Sequence, residues 1–84
     1  MTGFYDFEVF KNDWLVVFIS ENDEEIVVHN DLAILRKALE RFDCLVGFNN
    51  YSYDDLILTA IMQGYNNYEV WKLSNAIVSG GNIP

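Results

Sequence analysis

Asp6 and Glu8 stand two residues apart in the run Phe4-Tyr5-Asp6-Phe7-Glu8. On an extended strand that spacing puts both side chains on one face, their α-carbons about 7 Å apart at roughly 3.3 Å rise per residue. Two acids facing inward on an otherwise apolar strand are costly unless something neutralises them, whereas on a solvent face they cost little. Divalent cations are suited to neutralise them. Mg²⁺ takes carboxylate oxygens and keeps several waters. Two such ions about 3.5–4 Å apart stabilise the attacking and leaving oxygens of phosphoryl transfer. Asp54 and Asp55 form a second acidic pair, at the expected start of a helix. There the helix dipole alone favours them by about 0.3–1 kcal/mol. If the strand before that helix lies beside the first strand, Asp54 is carried towards Asp6 and Glu8. The single cysteine, Cys44, and the single histidine, His29, exclude an intramolecular disulfide and leave no Cys/His set for zinc. Cys44 lies in the apolar run Cys44-Leu45-Val46 and reads as a small buried hydrophobe. A Cys44–His29 nucleophilic dyad stays open as an alternative, without a local signature behind it.

These acids need a scaffold, and the first third of the chain reads as strands. Residues 3–10 alternate, with Phe4, Asp6, Glu8 and Phe10 on one side and Tyr5, Phe7 and Val9 on the other. Residues 14–19 are β-branched and aromatic and apolar on both faces, which predicts a central or covered strand. Residues 24–29 form a third strand. The short turns at 11–13 and 20–23 favour an antiparallel meander. Asn30 or Asp31 can cap a helix whose apolar face is Leu32, Leu35, Leu39 and Phe42. Arg36, Lys37 and Arg41 suit its C-terminal end. A fourth strand over 45–48 is expected parallel to the first, reached by a right-handed crossover. A second helix runs over about 52–63, stopped by Gly64 in the left-handed conformation. A third covers about 68–79, its Trp71 side read as core or interface, before Gly80-Gly81 breaks regular structure. The order β-β-β-α-β-α-α predicts a three-layer α/β arrangement with a mixed sheet.

The composition bounds the function. The chain has 84 residues, 51% of them hydrophobic, which argues against disorder and for one small domain. No apolar run approaches the roughly 20 residues of a membrane span. No basic segment followed by an apolar one opens the chain, so no membrane partner and a cytoplasmic location are expected. Thirteen acids face five bases, for a net charge of −8. Phosphate-backbone affinity comes from Lys and Arg, so a simple nucleic-acid-binding module is disfavoured. An enzyme that grips nucleic acid through carboxylate-bound metal escapes that exclusion, because the ion inverts the local charge. An acidic protein that occupies a basic groove on another protein escapes it too.

Two motifs carry a resemblance. Phe4-Tyr5-Asp6-Phe7-Glu8 resembles the first motif of the DEDD proofreading 3′–5′ exonucleases, and Val46-Gly47-Phe48-Asn49-Asn50-Tyr51-Ser52-Tyr53-Asp54 resembles their second. The nearest flavour is the exonuclease domain of phage-type DNA polymerases. The intervening meander and helix match the family's ribonuclease H-like order. The resemblance implies a partial ribonuclease H-like fold and Asp6, Glu8 and Asp54 as catalytic, metal-binding acids for Mg²⁺ or Mn²⁺. It implies Asn50 and Tyr53 as residues that place a single-stranded DNA 3′ end, where stacking on an aromatic is sequence-tolerant. The family's third motif, a Tyr or His shortly before a fourth Asp, has no counterpart: after Asp55 the only acid is Glu69. The chain therefore reads as the N-terminal part of such a domain, binding a divalent ion weakly and hydrolysing DNA poorly by itself, in a bacterial or phage-infected cell. The alternatives are a small acidic phage or mobile-element protein that inhibits a basic nucleic-acid-processing protein through the acidic run 21–25, and a structural homo-dimer paired through an exposed sheet edge.

Overall fold

In a computed structural model, residues 1–47 and 53–78 are described. They form β1 (Thr2–Val9), β2 (Trp14–Ser20), β3 (Glu25–His29), α1 (Leu32–Glu40), β4 (Cys44–Gly47), α2 (Tyr53–Met62) and α3 (Asn67–Val78), the element order expected from the sequence. The sheet order is β3-β2-β1-β4, with β1–β2 and β2–β3 antiparallel and β4 parallel to β1. The architecture is a small α/β domain with a mixed four-stranded sheet.

Register explains which face is packed. Tyr5 opposes Phe18, Phe7 opposes Val16, and Val16 opposes Val28, so these side chains share one side of the sheet. All are buried, and they pack with Leu35, Ala38 and Phe42 from α1 and its end, Tyr53, Ile57 and Ile61 from α2, and Val70 from α3. Phe42 stacks on Phe18 at 5.7 Å. Gly3 lies directly beneath it, where a Cβ would come within 2.4 Å of the Phe42 ring.

Among the described residues the opposite face is open. Register places Phe4, Ile19 and Val46 there in one row, with Asp6, Val17 and Val27 in the next and Glu8 and Leu15 in a third. Phe4, Val27 and Val46 are exposed, and Leu15, Val17 and Ile19 are half-buried. All three helices contribute their core residues to the other side, so the described residues form two layers rather than the three expected. β2 is central in the sheet, as predicted, but covered on one face only. The same geometry corrects two further expectations. Cys44 is exposed, because it lies on an edge strand and faces the open side. A Cys44–His29 dyad is excluded, since β4 and β3 are opposite edges, about 14 Å apart over three strand spacings. His29 instead meets Asp13 at 2.8 Å.

The helix ends follow local chemistry. Asp31 caps α1 by accepting from the Ile34 N–H at 3.0 Å. α2 ends in a Schellman motif: Tyr65 N–H donates to the Ala60 carbonyl, Gly64 N–H donates to that of Ile61, and Gly64 has φ +96°. α3 opens with a reciprocal capping box. Asn66 Oδ1 accepts from Glu69 N–H at 2.8 Å, and Glu69 Oε1 accepts from Asn66 N–H at 3.0 Å. No described helix is long and apolar enough to cross a membrane.

Candidate functional site

Asp6 and Glu8 project from β1 onto the open face, and both are exposed. They stand on an interior strand between β2 and β4, facing away from the packed core, so the cost of two fully buried acids is reduced to a partial desolvation of Asp6. Asp54 has the opposite environment. It sits in the first turn of α2 and is fully buried. β1 runs beyond its last pairing with β4, Tyr5 opposite Gly47. Past that point Asp54 Oδ1 accepts from the Phe7 N–H at 2.9 Å, replacing a strand partner on that edge. Gly47 makes the approach possible: a Cβ there would lie 3.2 Å from the Asp54 side chain.

The neighbouring acid repeats the anchoring. The Tyr5 hydroxyl donates to Asp55 Oδ1. Burial and that bond hold the phenol well above its usual range, so it stays a donor. α2 is thus tied to β1 at Tyr5 and at Phe7, the two residues that flank Asp6. The sequence reading took Asp55 as helix-cap charge and missed this tie. The motif does not reveal it, because the two partners are 50 residues apart.

The electrostatics follow. Partial burial, then the negative charge of Asp54, then that of Glu8, raise the Asp6 carboxyl above the ordinary Asp value. The three acids expected to act together therefore share one electrostatic neighbourhood. Among the described residues, however, no group of three His, Cys, Asp or Glu side chains is gathered closely enough to hold a metal ion. The donor set is all carboxylate oxygen, the chemistry of Mg²⁺ and Mn²⁺ rather than of zinc. Mg²⁺ is ordinarily held by one or two carboxylates together with waters and phosphate oxygens. Of the two carboxylates whose charges are coupled here, Asp6 is exposed on the open face and Asp54 is fully buried at the β1 edge.

Tyr53 is buried, and its hydroxyl shares a 2.7 Å hydrogen bond with Ser74 Oγ that joins α2 to α3. Burial raises its pKa; the Ser74 bond opposes this, and Asp54 and Asp6 add to it. Asn50 lies outside the described residues. Glu69 is engaged in the α3 capping box. In the acidic run 21–25, Glu21 Oε1 accepts from the Thr2 N–H at 3.2 Å, and Glu24 pairs with Arg41 at 3.2 Å. That turn is partly structural. No family model, no curated protein and no solved structure matches the chain.

Proposed function

We propose that the chain supplies the first two motifs of a DEDD-type 3′–5′ exonuclease domain with a ribonuclease H-like fold, of the phage DNA polymerase flavour. In this reading Asp6, Glu8 and Asp54 hold Mg²⁺ or Mn²⁺ against the terminal phosphate of a single-stranded DNA 3′ end, with Asn50 and Tyr53 near the nucleotide. The observation that carries it is the bond from Phe7 N–H to Asp54 Oδ1, which fixes the α2 acid beside the strand bearing Asp6. The antiparallel β1–β2–β3 meander with β4 parallel to β1 supports the fold assignment. When bound, the metal would supply Lewis acidity and a more acidic water. The chain's own contribution is to orient the acids: α2 is pinned through Asp54 and Asp55, and β1 is held between two strands.

Hydrolysis by this chain alone is expected to be slight, because the only acid after Asp55 is Glu69, which caps α3. Metal binding is the more direct test. Millimolar Mn²⁺ should raise the melting temperature of the wild-type chain, with about 1.4 kcal/mol gained at ten times the dissociation constant. Asp6→Asn and Asp54→Asn should abolish the shift. A wild-type chain indifferent to both ions at 10 mM would overturn the metal reading.

A further inference from the structure

The open face of the sheet is built to receive something. It presents Val46, Phe4, Ile19, Val17, Val27 and Leu15 as one apolar field. Besides Cys44, the ionisable side chains that register places on this face are Asp6, Glu8, Glu25 and His29, with neither Lys nor Arg among them. His29 turns to Asp13. The face is therefore apolar in its middle and acidic at two sides. A contiguous apolar area rimmed by charge marks an interaction surface.

Charge and size together choose the occupant. A second copy would bring another net charge of −8 and set acids against acids. The face is also small. Four strands give about 19 Å of width, and three rows of side chains about 20 Å of length, roughly 400 Å² in projection. That is about half the ~800 Å² per partner of a standard stable interface. One α-helix of about 12–14 residues matches the length and, at about 10 Å across, covers the half of the width centred on β2. Its apolar stripe would lie on Val17, Ile19 and Leu15, and its flanking bases would meet Asp6, Glu8 and Glu25.

We infer that the open face of β1–β4 is a docking site for a basic amphipathic helix of another protein. This rests on the shape and charge of the face and holds whether or not a metal binds at Asp6. The test uses a synthetic 14-residue Leu/Lys amphipathic helix and a Leu/Glu counterpart, in EDTA at pH 7, followed by amide chemical-shift mapping. The Leu/Lys peptide should shift amides of β1, β2 and β3. Its affinity should fall at least tenfold in Val17→Thr/Val27→Thr, which keeps β-branched strand residues, and at least tenfold in Asp6→Asn/Glu8→Gln. The Leu/Glu peptide should not bind. Shifts confined to α1–α3, equal affinity in both variants, or tight binding of the Leu/Glu peptide would each overturn the inference. So would a dimer at pH 7 that buries the same face. Circular dichroism confirms that each variant is folded before it is compared.

Discussion

Asp54 is the residue on which stability and the proposed chemistry meet, and two substitutions separate them. Asp54→Ala leaves the buried Phe7 N–H without its 2.9 Å acceptor. An orphaned buried donor costs about 1–3 kcal/mol, on the order of 10 °C in a domain of this size. Asp54→Asn keeps an oxygen for the Phe7 N–H, removes the charge and turns the second carboxylate oxygen into an NH2 donor. It should cost less than about 1 kcal/mol in thermal melts while still abolishing the Mn²⁺ response. Asp6 has the opposite sign in metal-free protein. Its folded-state pKa is raised, so the charged form is disfavoured by folding. That penalty is complete above the folded pKa and gone below the unfolded value of about 3.9. Asp6→Asn should therefore melt slightly higher than wild type at pH 7 in EDTA, by less than about 1 kcal/mol for so exposed a group, through relieved desolvation first and relieved repulsion from Asp54 and Glu8 second. The gain should vanish as the pH falls below about 4. A pH-independent difference would show that the carboxyl's charge is not its cause.

The elements were readable where local chemistry decides them. Gly64 was expected as the α2 stop, and it occupies the left-handed region at φ +96° with no atom within 4 Å of where a Cβ would sit. The cost of Gly64→Ala is then purely torsional, about 1 kcal/mol, and Gly64→Asn should cost less, both read from denaturant midpoints. Asp31 capping α1 and the β4 crossover were legible for the same reason: a cap needs a short polar side chain, and a strand–helix–strand connection favours parallel pairing. The candidate site was legible only in part. Periodicity put Asp6 and Glu8 on one face of β1, but nothing local says that Asp54 accepts from a backbone N–H 47 residues away. The missing layer has a related cause. Leu15, Val17 and Ile19 are as apolar as Val16 and Phe18, so pattern alone cannot tell which face the helices choose. That choice is tertiary: Tyr5, Phe7 and Phe18 offer aromatic volume on one side, whereas Asp6 and Glu8 interrupt the other.

At the scale of the whole molecule, the open face and the net charge oppose each other. An exposed apolar field favours association, and a charge of −8 on 84 residues repels a like copy. The balance depends on solution conditions because only the repulsion does. At pH 7 and about 0.1 M salt the screening length is about 10 Å, so acids of two copies that docking would bring within that distance still repel. Near the isoelectric point of about 4.2 the net charge disappears while the apolar field is unchanged. The protein should therefore sediment as a monomer at pH 7 and gain mass as the pH is brought to about 4.2. Adding about 1 M NaCl at pH 7, where the screening length falls to about 3 Å, should have the same effect. Val17→Lys and Val27→Lys place a charge inside the field itself and should keep the chain monomeric in 1 M NaCl. The same lysines on the helical side, as Ile34→Lys or Val78→Lys at exposed positions, should not. Association that ignores the Val17 and Val27 substitutions but responds to those on the helices would place the sticky surface on the helical layer, and the open face would then have no part in it.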